Sequence, residues 1–194
     1  MKLLEEKIAA EGTAIGTEIL KVDGFLNHQI DPVIVDEMGK EFCRLFGNDG
    51  ATKVVTVESS GISIAVAAAK YLGVPALFAK KASHKNVGNE VYTTRSYSFT
   101  HGKEYEMNIS KKYLTSTDRV LIIDDFLAGG NACNALISLI HQAGASIVGI
   151  GIAIEKGFQE GGKALREQGY KLRSLAIVDS MEDGKITFRT DEDC

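Results

Sequence analysis

The sequence predicts an α/β fold with a mostly parallel central sheet flanked by helices, and three stretches carry that prediction. "TKVVTVESSG" (52–61) is a buried-strand run ending in a polar turn; "ISIAVAAAKYLG" (62–73) is an alanine-rich helix closed by glycine, and "PALFAKK" (75–81) is a second strand. A strand, helix, strand unit of this length joins parallel neighbours through a crossover. "VLIIDDFLAGGNACNAL" (120–136) repeats the order, with four apolar residues, two carboxylates, a glycine turn and a helix. "SIVGIGIAIEK" (146–156) is apolar without alternation, as befits a strand covered on both faces.

The remaining elements follow in order. "MKLLEEKIAAEG" reads as a short amphipathic helix stopped at Gly12, because its glutamates interrupt the apolar run that a signal peptide needs. Residues 17–31, "TEILKVDGFLNHQID", have no clean period and are expected to form an irregular or weakly extended segment. Pro32 opens a helix whose Ile34, Val35, Met38, Phe42, Leu45 and Phe46 fall three and four apart, and Gly47, Asn48 and Gly50 end it. Between 80 and 90 the pattern collapses into polar, basic "KKASHKNVGNE". "VYTTRSYSF" and "YEMNIS" alternate and suggest a two-stranded ribbon around His101 and Gly102. The helix after the double glycine turns Leu136, Ile137 and Ile140 inward and closes at Gly144. A short helix then runs through Ala164 to Gln168, and "YKLRSLAIV" and "KITFR" complete the sheet or add a hairpin. There is no internal repeat, and residues 1–194 are expected to form one domain.

Composition narrows the function. A formal charge of −4 argues against a general nucleic-acid binder. Three cysteines, Cys43, Cys133 and Cys194, show no metal-ligand spacing and fit neither a disulfide framework nor a zinc site, so a cytoplasmic location is expected. No apolar run approaches the ~18 residues of a membrane span. The acidic "TDEDC" end reads as a solvated tail.

Ligands of open parallel sheets bind beyond the carboxyl ends of the strands, and the pattern puts Asp124 and Asp125 at such an end. Adjacent carboxylates repel unless a cation, a basic side chain or donating hydroxyls partner them. The "AGGNA" turn that follows has the opposite polarity: its glycines let successive N–H groups face one concavity at a helix start, which attracts phosphate. Carboxylates for hydroxyls beside amides for a phosphate make a receptor for a sugar phosphate. The ordinary alternative is a capped turn.

"VLIIDDFLAGGNA" resembles the phosphoribosyl-pyrophosphate motif of the type I phosphoribosyltransferases. "VESSGISIAVAAAKYLGVPALFAKK" resembles the pyrophosphate turn and following strand of the adenine-type members, and "VYTTRSYSFTHGKEYEMNIS" their mobile loop and ribbon. "ILKVDGFLNHQIDP" and "IEKGFQEGG" look closer still to the bacterial branch that acts on xanthine. The resemblance implies the type I fold, with a mostly parallel sheet and a mobile loop and ribbon. Residues 1–31 and the C-terminal segment would form a small hood over the site.

It further implies that Asp124 and Asp125 hold the ribose 2- and 3-hydroxyls, alone or through Mg²⁺ carried by the cosubstrate, with no direct protein ligand to the metal. The 5-phosphate would lie on Ala128, Gly129, Gly130, Asn131 and Ala132. Many relatives have Thr or Ser at the positions of Gly129 and Ala132, so here backbone amides must do that work. An Asp stands at the position of Ala128 in the 6-oxopurine relatives as a candidate base. Ala128 cannot serve, so either another group takes the proton or a base as acidic as xanthine needs little help. Ser59, Ser60 and Gly61 match the pyrophosphate turn, although a serine there is more often a helix cap. Lys80 and Lys81 match the cations that neutralise leaving pyrophosphate, and residues 81–97 would close over the site and exclude water. Arg95 and His101 lie nearby.

For the base, the resemblance implies Lys156 as a donor to a purine oxygen, Phe158 as a stacking partner, and Leu20 and Asn27 as hood contacts. By composition alone, Lys156 could simply end a strand at the surface and Phe158 could be core. The implied activity is transfer of phosphoribose to xanthine N9 in purine salvage, by a homodimer that engages neither membrane nor nucleic acid. Guanine or hypoxanthine is the nearest rival substrate. A purine-responsive regulator would need an added binding domain, and a metal-dependent phosphatase would need further acidic clusters.

Overall fold

Alternation along the strands decides which helix covers which face of the sheet. The computed structural model describes residues 1–82, 90–98, 103–182 and 184–189. Five strands run parallel: β3 (Lys53–Val57), β4 (Ala76–Ala82), β7 (Arg119–Leu127), β8 (Ser146–Lys156) and β9 (Leu172–Glu182). Antiparallel strands extend both edges, with β5 (Val91–Ser98) and β6 (Lys103–Ser110) on one and β10 (Lys185–Phe188) on the other. The eight-stranded order is β10-β9-β8-β7-β3-β4-β6-β5.

On one face Val54, Leu121 and Ile123 pack under α1 (Lys2–Glu11), α2 (Pro32–Phe46) and α3 (Gly61–Leu72). On the other, Val55, Val57, Val120 and Ile122 meet α4 (Asn131–Gln142) and α5 (Glu160–Glu167). Asp31 caps α2 by accepting from the Val33 and Ile34 amides at 2.9 and 3.4 Å. The expected α2 stripe is buried except for half-buried Leu45. Phe42 and Phe46, fully buried, rest where Gly149 and Gly151 leave room; a Cβ there would come within 2.5 and 2.7 Å of their rings. Each such ring contributes ~1.5–3 kcal/mol by burial.

The connection from β3 through α3 moves toward one edge of the sheet and that from β7 through α4 toward the other. Between β3 and β7 the winding therefore reverses, which is where an open α/β sheet leaves its binding crevice. Pairing of the two strands stops at Val55↔Ile122, while β3 continues to Val57 and β7 to Leu127.

Three local features differ from expectation. The segment expected to be irregular, 17–31, supplies the second strand of an antiparallel hairpin, β1 (Thr13–Ile15) and β2 (Ile19–Lys21), turning at Gly16 with φ +60°, and then a π-helical turn at Asp23–Asn27. Strands of three residues are too short to display a period. β7 does not end before the aspartates but runs through them, because Phe126 and Leu127 keep pairing with β8. Of residues 81–97, expected to close as a loop, 91–97 belong to β5, which lies on α4 through Ser96 Oγ to the Asn131 carbonyl (3.3 Å) and Gln142 Nε2 to the Thr93 carbonyl (3.0 Å). Residues 83–89, His101, Gly102 and the acidic tail lie outside the described residues. Among those described, no helix is long and apolar enough to cross a membrane.

Candidate active site

The crevice between β3 and β7 holds the carboxyl pair. Asp124 is only 3% exposed and its Oδ1 accepts the Asp125 N–H at 3.0 Å; Asp125 is half-buried. Burial, and then the Asp125 charge, pushes Asp124 well above the usual carboxylate range. Burial also raises Asp125. Lys81, near the end of β4, acts on both through space in the opposite direction. The pair is thus held partly desolvated and short of positive charge.

Two turns flank it. After β3, the Glu58–Ser59 peptide is cis and residues 59–60 lead into α3. Ser59 is exposed, Ser60 half-buried, and the Ser60 side chain makes no cap, so the ordinary role of a serine at a helix start is not the one it fills. Gly61 must be glycine: a Cβ would lie 2.2 Å from Thr56 Oγ1 and 2.8 Å from Asp124 Oδ1.

After β7, the turn at 128–130 enters α4 with Gly130 in the left-handed region, φ +85°. The Ala128 carbonyl accepts from Gly161 N–H at 3.1 Å and the Gly130 carbonyl from Asn134 N–H at 2.9 Å. A trans peptide points its N–H opposite its C=O, so the Gly129 and Asn131 amides face away from these partners, toward the helix entrance. Gly161 braces the turn closely, since its Cβ would meet the Ala128 oxygen at 2.2 Å. Gly129 is exposed, and Asn131 and Ala132 are half-buried.

Lys80 and Lys81 are exposed. The Lys81 ammonium lies 5.5 Å from the Tyr105 ring and its backbone N–H donates to Glu58 Oε1 at 2.6 Å. Arg95, on β5, is exposed opposite Glu106.

Lys156 is the last residue of β8, as the sequence predicts. Its half-buried ammonium donates to the Glu18 carbonyl at 2.5 Å, tying β8 to the β1–β2 turn, and burial lowers its pKa. Phe158 is 38% exposed, so it is not core. The following loop is fixed at Gly157, where a Cβ would lie 2.7 Å from an Arg189 nitrogen and 2.9 Å from Asp179. Asn27 is exposed at the end of its π-helical turn. The Leu20 side chain is buried in the core, so what it can offer a ligand is its main chain.

Sequence reasoning did not single out Glu58, Thr56, Gly161 or Glu155. Thr56 Oγ1 is buried with no hydrogen-bond partner. Glu155, expected at a surface strand end, is 2% exposed and held by Arg166 at 2.7 and 2.8 Å and by the Ser174 hydroxyl. A signal for the brace was available in the paired glycines of "QEGGK", since glycine inside a helix is costly unless something approaches closely.

Residues 29–187 match the phosphoribosyl transferase domain family. The chain is 54% identical over 194 residues to the xanthine phosphoribosyltransferase of Lachnoclostridium phytofermentans, covering 99% of this chain and 100% of that protein. It is 52% identical over 188 residues to the protein of the same name from Ruminiclostridium cellulolyticum, covering 97% and 99%. In fold it is similar to the crystal structure of adenine phosphoribosyltransferase from Rhodothermus marinus, with a TM-score of 0.72, 21% identity, and coverage of 92% of this chain and 100% of that one.

Proposed function

The chain belongs to the phosphoribosyl transferase domain family, and from that premise we propose that it moves phosphoribose from phosphoribosyl pyrophosphate to N9 of xanthine. A bond forms between N9 and ribose C1, the bond from C1 to the pyrophosphate oxygen breaks, and the N9 proton is released. The products are xanthosine 5-phosphate and pyrophosphate. The observation that carries the reading is the crevice where Asp124 and Asp125 lie between two helix entrances.

In this reading Asp124 and Asp125 accept from the ribose 2- and 3-hydroxyls, and the amides of Ala128 to Ala132 bind the 5-phosphate. Ser59, Ser60 and Gly61 bind the pyrophosphate, with Lys80 and Lys81 stabilising the charge it gains on leaving. Mg²⁺ carried on the phosphates would supply further positive charge for the same group. Among the described residues no three His, Cys, Asp or Glu side chains converge. Asp124 and Asp125 would face that ion through the ribose hydroxyls rather than as its direct ligands. Lys156 and Asn27 read the purine oxygens, the Leu20 main chain lines the hood, and Phe158 supplies an apolar face. Holding base and sugar in line is the larger part of the rate gain.

The whole chain works as one domain, with residues 1–31 and the C-terminal segment forming the hood. In support, Leu20, Val22, Phe25 and Leu26 share an apolar cluster with α2 and α3. It works in the cytoplasm as a homodimer; exposed Val33, on α2, offers apolar surface for that contact. The test is pyrophosphate release with Mg²⁺, the cosubstrate and each purine in turn. Xanthine should turn over fastest; a preference for adenine would overturn the base assignment, and one for guanine would reassign the pocket.

A further inference from the structure

We propose that Glu58 is a positioning residue that acts through Lys81, and this rests on the phosphoribosyl-transfer reading above. The β3–β4 ladder is regular up to Val57↔Ala79, and the Glu58 N–H still donates to the Ala79 carbonyl at 3.1 Å. In a continuing parallel ladder the next bond would run from the Lys81 N–H to the Glu58 backbone carbonyl. It runs instead to the Glu58 side chain, Oε1, at 2.6 Å. The carboxylate replaces its own main-chain carbonyl in the ladder.

Two consequences follow from that exchange. The chain at Glu58 is free to leave the sheet and form the turn that opens α3, while the Lys81 N–H keeps an acceptor. On its other edge Lys81 is in register with Met107 of β6. The strand is therefore flanked on both edges at this point, and the Lys81 ammonium lies where its field reaches Asp124 and Asp125. Glu58 thereby sets where that cation stands.

A carboxylate is a costly neighbour for a pyrophosphate unless its geometry is what matters. An amide oxygen accepts the same bond without the charge, so Glu58→Gln preserves the device and Glu58→Ala removes it. The experiment measures kcat and both KM values for Glu58→Ala, Glu58→Gln, Lys81→Met and the double variant Glu58→Ala with Lys81→Met.

Expected are a loss of about tenfold in kcat/KM for phosphoribosyl pyrophosphate in Glu58→Ala, the worth of one hydrogen bond, and an unchanged purine KM. Glu58→Gln should stay near wild type, and Glu58→Ala should cost nothing further once Lys81 is Met. An equal loss in Glu58→Gln, or an undiminished Glu58→Ala loss on an impaired Lys81→Met background, overturns the role of Glu58 alone. A fully active Lys81→Met variant overturns both that role and the assignment of Lys81.

Discussion

Asp124 of β7 and Glu155 of neighbouring β8 are buried to nearly the same depth, 3% and 2% exposed, and the chain treats them in opposite ways. Glu155 is completed within the fold by a two-pronged bond from Arg166 and a hydroxyl from Ser174. Asp124 has the amide of its own neighbour, a second carboxyl next to it, and a lysine that acts on it only through space. The Thr56 hydroxyl beside it has no partner. A buried acid whose charge is answered internally serves stability. One left incomplete is costly to the fold, and such a residue is a candidate for a functional site. Depth alone does not separate the two; the inventory of partners does.

The difference is exposed most strongly by removing Arg166. Arg166→Met leaves a buried carboxylate with only the Ser174 hydroxyl and should cost about 3 kcal/mol, roughly a 10 °C drop in Tm for a chain of this size. The folded fraction should keep a near-normal kcat, which assays below the transition will show. If turnover fell while Tm held, Glu155 would belong to the site and the contrast would collapse. Asp125→Asn should do the reverse. With one carboxylate bond to the ribose weakened, turnover should fall on the order of 100-fold, while calorimetry finds Tm unchanged or higher because a like charge has gone. A destabilised Asp125→Asn would return the pair to a merely structural role.

Legibility in the sequence followed the range over which each feature is encoded. The sheet could be read because β3, β7 and β8 announce themselves as apolar runs bounded by turns. The acids and the glycine turn after them could be read because they fall within nine consecutive residues, 124–132. What could not be read depends on residues far apart. Glu155 meets Arg166 eleven residues on, and Glu58 meets Lys81 twenty-three residues on. The paired glycines of 161–162 signal a close approach, but that Ala128 is what approaches Gly161 is visible only once α5 is folded back. The course of β7 through two adjacent charges was also hidden, since charge ordinarily marks a strand end and only pairing with β8 overrides it. The hood hairpin is three residues wide and has no room for a period.

The smallest of the expected effects bears on the cost of leaving Asp124 incomplete. Its pKa is higher in the fold than in the unfolded chain, so over the window between the two values the native state binds more protons. Stability is then fullest below the ordinary Asp range and declines as pH rises through the raised value. Asp124→Asn keeps an oxygen for the Asp125 N–H and removes the charge. Without ligand, its Tm should exceed that of wild type at pH 8 by a few degrees, at ~2–4 °C per kcal/mol, and the gap should narrow steadily toward acid. Thermal melts across pH 4.5 to 8 read this directly. A variant less stable than wild type at every pH would mean that Asp124, like Glu155, is already satisfied by the fold.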